Sequence, residues 1–246
     1  MHGLSRLLTA AGAAAAVVAL SPGLASASPV AQAVPGIAFV SPIASGYAAL
    51  PKAGGATDFA GVQTTFVVPA VTCTAQNATA TTRTGLDGIT DDTAEIAGVN
   101  EACVNAVPFY TAFYRMFPAA QVMEFHPRAG DQVTASVTAN AGVYTLSVQD
   151  LTSGQSFTAI KRCNTCQDSS AGVSAGSPSG MVPADFGIVH FTNIVVVDGA
   201  GVSGGLANAA WKTLKMTQPG SPHTVAGPLH TFSSPAHSNF ADTWAP

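Results

Sequence analysis

The chain is poor in charge. Only 9% of its 246 residues are charged, nine Lys and Arg against thirteen Asp and Glu, for a formal net charge of −4. So few cations cannot neutralise many phosphates, which argues against nucleic acid as a partner. Past the first twenty residues, no apolar run is long enough to cross a bilayer as a helix. Nor does any later segment carry a 3.6-residue apolar period, so helices are not expected to build the fold. Tryptophan is nearly absent, with only Trp211 and Trp244, both late in the chain. Glutamate is almost as scarce, at Glu95, Glu101 and Glu124. The stretch "SAGVSAGSP" at 170–178 has no charge, no ring and no proton-moving group beyond serine hydroxyls.

What is present points to export and to strands. Residues 1–27 combine Arg6, an apolar run over 7–20 and small residues at Ala25 and Ala27. That pattern reads as a secretory signal cleaved after Ala27, which leaves a secreted, extracellular product with no membrane attachment. Residues 28–43 are Pro-punctuated and read as a lead-in or short propeptide. Period-two patterning follows: Val62, Thr64, Phe66 and Val68 share one face, and "DQVTASVTANAGVYTLSVQD" reads as a hairpin. The hairpin sets Val133, Ala135 and Val137 against Tyr144, Leu146 and Val148, with its turn at "NAG". "SFTAIKRC", "FGIVHFTNIVVV" and "AAWKTLKM" continue the alternation. Repeated strands with Gly and Asn turns predict a two-sheet antiparallel β-sandwich over 44–220, followed by a Pro- and His-containing segment at 221–246 with a last strand at "NFADTW".

Export makes the four cysteines disulfide candidates, and three connectivities are open. Pairing Cys163 with Cys166 keeps the local "CNTC" together and leaves Cys73 with Cys103. Chain-entropy arithmetic gives about 3.5 kcal/mol for the long loop and about 2 kcal/mol for the short one. A thioredoxin-type reading of "CNTC" lacks its strand-to-helix junction, and a zinc site lacks a second ligand pair. His223, His230 and His237 recur every seven residues, but prolines at 222, 228 and 235 prevent a helix from aligning them. No metal or cofactor is expected.

Several stretches, read in order from about residue 44 to 197, resemble the glutamic peptidases, the eqolisin family. "SGYAAL" is similar to the family's W-S-G-Y opening, "FVVPAVTC" to its V-P-x-V segment and "TGLDG" to W-V-G-[IL]-D-G. "AEIAGVN" stands where the family has E-Q-x-G, and "YTAFYRMFPA" where it has Y-x-A-W-Y-E-x-x-P. "AGDQVTASV", "RCNTCQDSSA" and "ADFGIVHFTN" resemble its P-G-D, C-x-x-C-Q-x-S-S-A and D-F-G stretches. The resemblance implies a secreted concanavalin-like or jelly-roll-type sandwich that cleaves peptides in acid with a Gln/Glu dyad.

The same resemblance implies that this dyad is gone. The Gln falls on Ile96. Aligning "SAGVSAGSP" with A-E-W-I-V-E-x-P puts the second glutamate, taken as catalytic, on Gly176. The family's tryptophans fall on Ala44, Arg83, Phe113 and Val173, and its W-Y-E glutamate on Arg115. The expected product is therefore a non-catalytic homologue with a peptide-binding-type cleft lined by Asp87, Phe113, Tyr114, Arg115 and Val173. An active acid endopeptidase stays open if Asp87 or Glu124 substitutes for the missing acid, as does a carbohydrate- or surface-binding sandwich. Glu124 and His126 share a strand face and read as a surface pair, Asp87 reads as a turn residue bonding its own backbone, and Glu95 reads as a solvated charge opposite Ile96. The expected partner is a peptide, protein or glycan, met by a monomer.

Overall fold

The computed structural model describes residues 37–41, 43–178, 180–219, 224–228 and 238–244. The signal segment, the start of the lead-in, and His223, His230 and His237 lie outside the described residues. Among the described residues there is no helix. The chain opens with β1 (Ile37–Val40), β2 (Ser45–Leu50), β3 (Phe59–Val67), β4 (Thr79–Asp87) and β5 (Ala94–Val104). Next come β6 (Val107–Phe117), β7 (Val122–Met123), β8 (Gln132–Asn140), β9 (Val143–Asp150), β10 (Ser156–Arg162) and β11 (Ala171–Gly176). The last are β12 (Ile188–Asp198), β13 (Ser203–Gly204), β14 (Lys212–Pro219), β15 (Thr224–Pro228) and β16 (Phe240–Trp244).

These strands form two sheets. The front sheet runs β1–β14–β2–β11–β4–β5–β6–β7, and the back sheet runs β10–β9–β8–β3–β12–β16–β15, with β13 beside β12. Every pairing is antiparallel except β1 with β14. β14 joins the sheets: its first part pairs with β2, while Gln218 and Pro219 pair with β15. The expected sandwich is therefore present. It extends beyond the expected limits, because Ile37–Val40 pair with β14 and β15 joins the back sheet, while β16 is the last strand expected at "NFADTW".

The apolar faces that alternate along the strands meet between the sheets. Val62, Phe66, Val133, Val137, Tyr144, Leu146, Phe191 and Val196 come from the back, and Leu86, Ala97, Val99, Tyr114 and Val173 from the front. Phe191 stacks on Phe240 with centroids 4.8 Å apart, and Phe66 meets Phe191 edge-on at 6.0 Å. The expected hairpin is β8–β9, closed by Ala141 and Gly142, both at positive φ as a tight two-residue turn requires. Both disulfides join the expected partners, Cys73 with Cys103 and Cys163 with Cys166. The first staples the loop before β4 to β5; the second closes a short turn after β10.

Candidate functional site

The outer face of the front sheet carries two adjoining cavities of about 80 and 460 Å³. Ile43, Arg83, Gly88, Ala94 and Ile96 line both. The register of β11, β4, β5 and β6 sets this face out in rows. Gly172 lies opposite Gly85, which lies opposite Ile96, which lies opposite Arg115. The next row is Ser174, Arg83, Gly98 and Phe113; beyond it come Gly176, Thr81, Asn100 and Thr111.

Strand alternation sends every second residue to the core side. Val173 and Tyr114 therefore do not line the cleft, contrary to expectation. Val173 is fully buried between the sheets, and Tyr114 packs against Phe157 at 5.7 Å. Phe113 and Arg115, one residue away on either side, do face the larger cavity.

The rows also separate the two expected dyad positions. Gly176 and Ile96 are two strands apart and four residues out of line, about 16 Å between Cα atoms. Two side chains of that length cannot share one water. A Cβ on Gly176 would meet Ile43 O at 2.6 Å and Ala44 Cα at 2.8 Å, so the backbone leaves no room for a side chain there. Gly172 differs on both counts. It stands about 10 Å from Ile96 across Gly85. A Cβ there would meet only Ala48 Cβ at 3.7 Å and Tyr47 O at 3.8 Å, which are ordinary contacts. Gly85, between them, leaves no room for a side chain of its own: a Cβ on it would lie 2.6 Å from Glu95 O and 3.3 Å from Ile96 Cγ1.

None of the expected substitute acids is free to act in this cleft. Asp87 lines the smaller cavity, but its carboxylate accepts from the backbone N–H of Gln167, Asp168 and Ser169 and from the Thr93 hydroxyl. It is not bonding its own turn; it anchors a loop about 80 residues later to the end of β4. Glu124 is exposed and lines neither cavity, while His126 bonds to Tyr110 O and packs on Phe109. Glu95 does point away from Ile96, but it is buried and not solvated. Its Oε1 lies 2.8 Å from Cys166 Sγ. Burial, then the charges of Asp87, Asp168 and Asp91, push its carboxyl up to about 9. Glu95, Cys163 and Cys166 cluster tightly enough to suggest a metal, but the two sulfurs are bonded to each other.

Arg83, read from sequence only as a missing tryptophan, is the main cleft residue that sequence reasoning overlooked. Its guanidinium donates to Ser174 Oγ at 3.4 Å and Ile43 O at 3.1 Å. Burial, and then the charge of Arg115, lower it to about 10. Arg115 donates to Ala119 O at 3.0 Å and lies 4.7 Å over the Phe117 ring.

The model of the Peptidase A4 family matches residues 44–227. The chain belongs to the Peptidase A4 (eqolisin, glutamic peptidase) family. Among solved structures, it is similar to scytalido-glutamic peptidase bound to a transition-state-analogue inhibitor, with TM-score 0.68 and 18% identity over 82% of this chain and 98% of that one. SCP-B, an eqolisin in complex with the tripeptide Ala-Ile-His, gives TM-score 0.65 and 19% identity over 82% and 98%. Aspergilloglutamic peptidase from Aspergillus niger gives 0.59 and 23% over 68% and 99%. At these identities the likeness concerns the fold. A search of curated proteins finds no match.

Proposed function

We propose that this family member is secreted, has lost peptide hydrolysis, and keeps the cleft as a peptide-binding site. The observation that carries the reading is the row Gly172–Gly85–Ile96. In the family, a glutamate takes a proton from the attacking water and returns it to the leaving nitrogen, while a glutamine amide supports the oxyanion. Two such side chains must converge on one water, and 172 and 96 face each other across Gly85, with room at Gly172 for a side chain. The first glutamate of A-E-W-I-V-E falls on Gly172, so the dyad position is assigned there in place of Gly176. Glycine offers no base and isoleucine only methyl groups. The leader-like residues 1–27 and the two disulfides favour secretion. A peptide as ligand is favoured by the tripeptide and inhibitor complexes of the similar structures.

The test is hydrolysis of denatured protein and peptides between about pH 2 and 7, a range that brackets glutamate titration. Wild type is expected to cleave nothing. Gly172→Glu with Ile96→Gln is expected to show weak acid proteolysis, while either change alone stays silent. The gain is held down because Arg83 and Arg115 would lower the new carboxyl's pKa and weaken it as a base. Gly176→Glu is expected to destabilise the fold by about 1–3 kcal/mol through overpacking and to restore no activity in any combination. Turnover by wild type that Asp87→Asn abolishes would overturn the loss of catalysis. Activity from Gly176→Glu with Ile96→Gln would overturn the reassignment.

A further inference from the structure

The cleft holds two cations whose bonds are to neutral groups. Arg83 spends one donor on a hydroxyl and one on a carbonyl, leaving three of the five that a guanidinium offers. Arg115 spends one donor on a carbonyl and rests on an aromatic face. Burial, and after it the charge of Arg115, lower the affinity of Arg83 for its proton. Among the described residues neither forms an ion pair. The acids at the cavity edge are Asp91 and Asp92. Asp91 is tied to its own loop, accepting from Gly88 N, Thr93 N, the Thr93 hydroxyl and the Ser169 hydroxyl. Both arginines line the 460 Å³ cavity together with Ile43, Ile96, Phe113 and Phe117, so the cations sit among apolar walls. Their strand positions differ by two strands and two residues, about 12 Å between Cα atoms, a span that two arginine side chains can close around a single anion.

We propose that the cleft recognises peptides through a carboxylate, either an acidic side chain or a free C-terminus, held between Arg83 and Arg115. This rests on the peptide-binding reading above and adds to it the chemistry that the ligand must carry. Planar guanidinium groups match a carboxylate with paired, charge-assisted hydrogen bonds. The apolar walls receive the neighbouring residues of the chain and exclude water, which strengthens the charge contact.

The experiment is fluorescence anisotropy with the folded, full-length secreted protein at about pH 6, where carboxylates are ionised, and low salt. Three labelled hexapeptides are compared: one with blocked ends and a central Glu, one with Gln in its place, and the Gln peptide with a free C-terminal carboxylate. At least one carboxylate peptide is expected to bind about tenfold or more tighter than the blocked Gln peptide. Whichever it is identifies the carboxylate's source. Arg83→Gln and Arg115→Gln are each expected to remove most of that preference, and Arg115→Lys to restore part of it. If Arg83→Gln fails to fold, Arg115→Gln decides alone. Equal binding of all three peptides would overturn the carboxylate while leaving the cleft a peptide site. A preference surviving both arginine substitutions would overturn the assignment to this pair. Binding of none of the peptides would overturn the peptide reading itself; inorganic phosphate raising the melting temperature of wild type but not of Arg115→Gln would then mark a simple anion site.

Discussion

The two faces of the front sheet, built from the same strands and separated by one residue of phase, differ sharply in what they carry. On the core face, Val173, Leu86, Ala97, Val99 and Ala112 are fully buried, and the acids on that side, Glu95 and Glu101, are sealed in with them. On the cleft face glycine, isoleucine and arginine stand in the central rows, and Asp87, at the end of β4, is held by three backbone N–H groups. A carboxyl one residue from Ile96 thus does not reach the cleft. Glu95 follows Ala94 and precedes Ile96, yet the backbone of the sheet stands between it and the cleft. The core face is packed with apolar side chains; the cleft face carries two arginines beside open cavities.

The comparison is sharpest in stability. Leu86→Ala removes a fully buried side chain from the core face and is expected to cost about 2–5 kcal/mol. Ile96→Ala removes a similar volume from a wall already open to the cavity and is expected to cost about 1 kcal/mol or less. Urea unfolding of both variants checks this. Equal costs would mean that the cleft face is packed like a core.

Next in size is the pH dependence carried by buried acids. Burial pushes Glu95 up to about 9, Glu101 to about 8 against the opposing pull of Thr82, and Asp242 to about 7 against the hydrogen bond from Ser45. Each has a folded pKa above its unfolded one, so the folded state keeps protons that the unfolded chain releases. Their contribution is complete below about pH 4 and is lost as pH rises through 7, 8 and 9. Asp91 and Asp150, held low by hydrogen bonds, act in the opposite sense and lose their contribution only as pH falls below about 4. The unfolding free energy from urea titration is therefore expected to fall between pH 4 and pH 8.5 by on the order of a few kcal/mol, and the midpoint with it. Glu95→Gln and Glu101→Gln should each flatten the slope. A midpoint that rises over this range would show that these carboxyls are ionised in the folded protein.

Much of this was legible from residues alone, and the errors have a common source. The hairpin at 132–150 and the strand faces of β3 follow from local alternation and turn chemistry, which a single stretch of chain carries; the disulfide pairing, chosen among three to keep "CNTC" together, matches the two bridges. Grouping Phe113, Tyr114 and Arg115 in one cleft ignored that same alternation, since neighbours on a strand cannot share a face. That Glu95 points away from Ile96 was readable; that a second sheet covers it was not, because the cover comes from residues far along the chain. The choice between Gly172 and Gly176 depends on register across three strands, and no spacing within one stretch encodes it. Arg83 was hidden differently: matched only against a tryptophan position of the resemblance, it was not weighed as a cation in the cleft.

The smallest expected effect tests whether the cleft's new charge is a pair or two separate residues. If Arg83 and Arg115 repel each other across the cavity, each single change to Gln loses that residue's own contacts and gains relief from the repulsion. The second change, made in the background of the first, finds no repulsion left to relieve. The double variant should then cost more than the sum of the singles by the repulsion itself, about 0.3–1 kcal/mol at low salt. Because the excess is Coulombic, it should shrink toward zero near 1 M salt, where the screening length falls to about 3 Å. Contacts such as Arg115 with Ala119 O and Phe117 cancel in the cycle, so the sign does not depend on their size. Strict additivity at low salt, or a double variant that costs less than the sum, would place the guanidiniums too far apart to grip one carboxylate, whatever the peptides do.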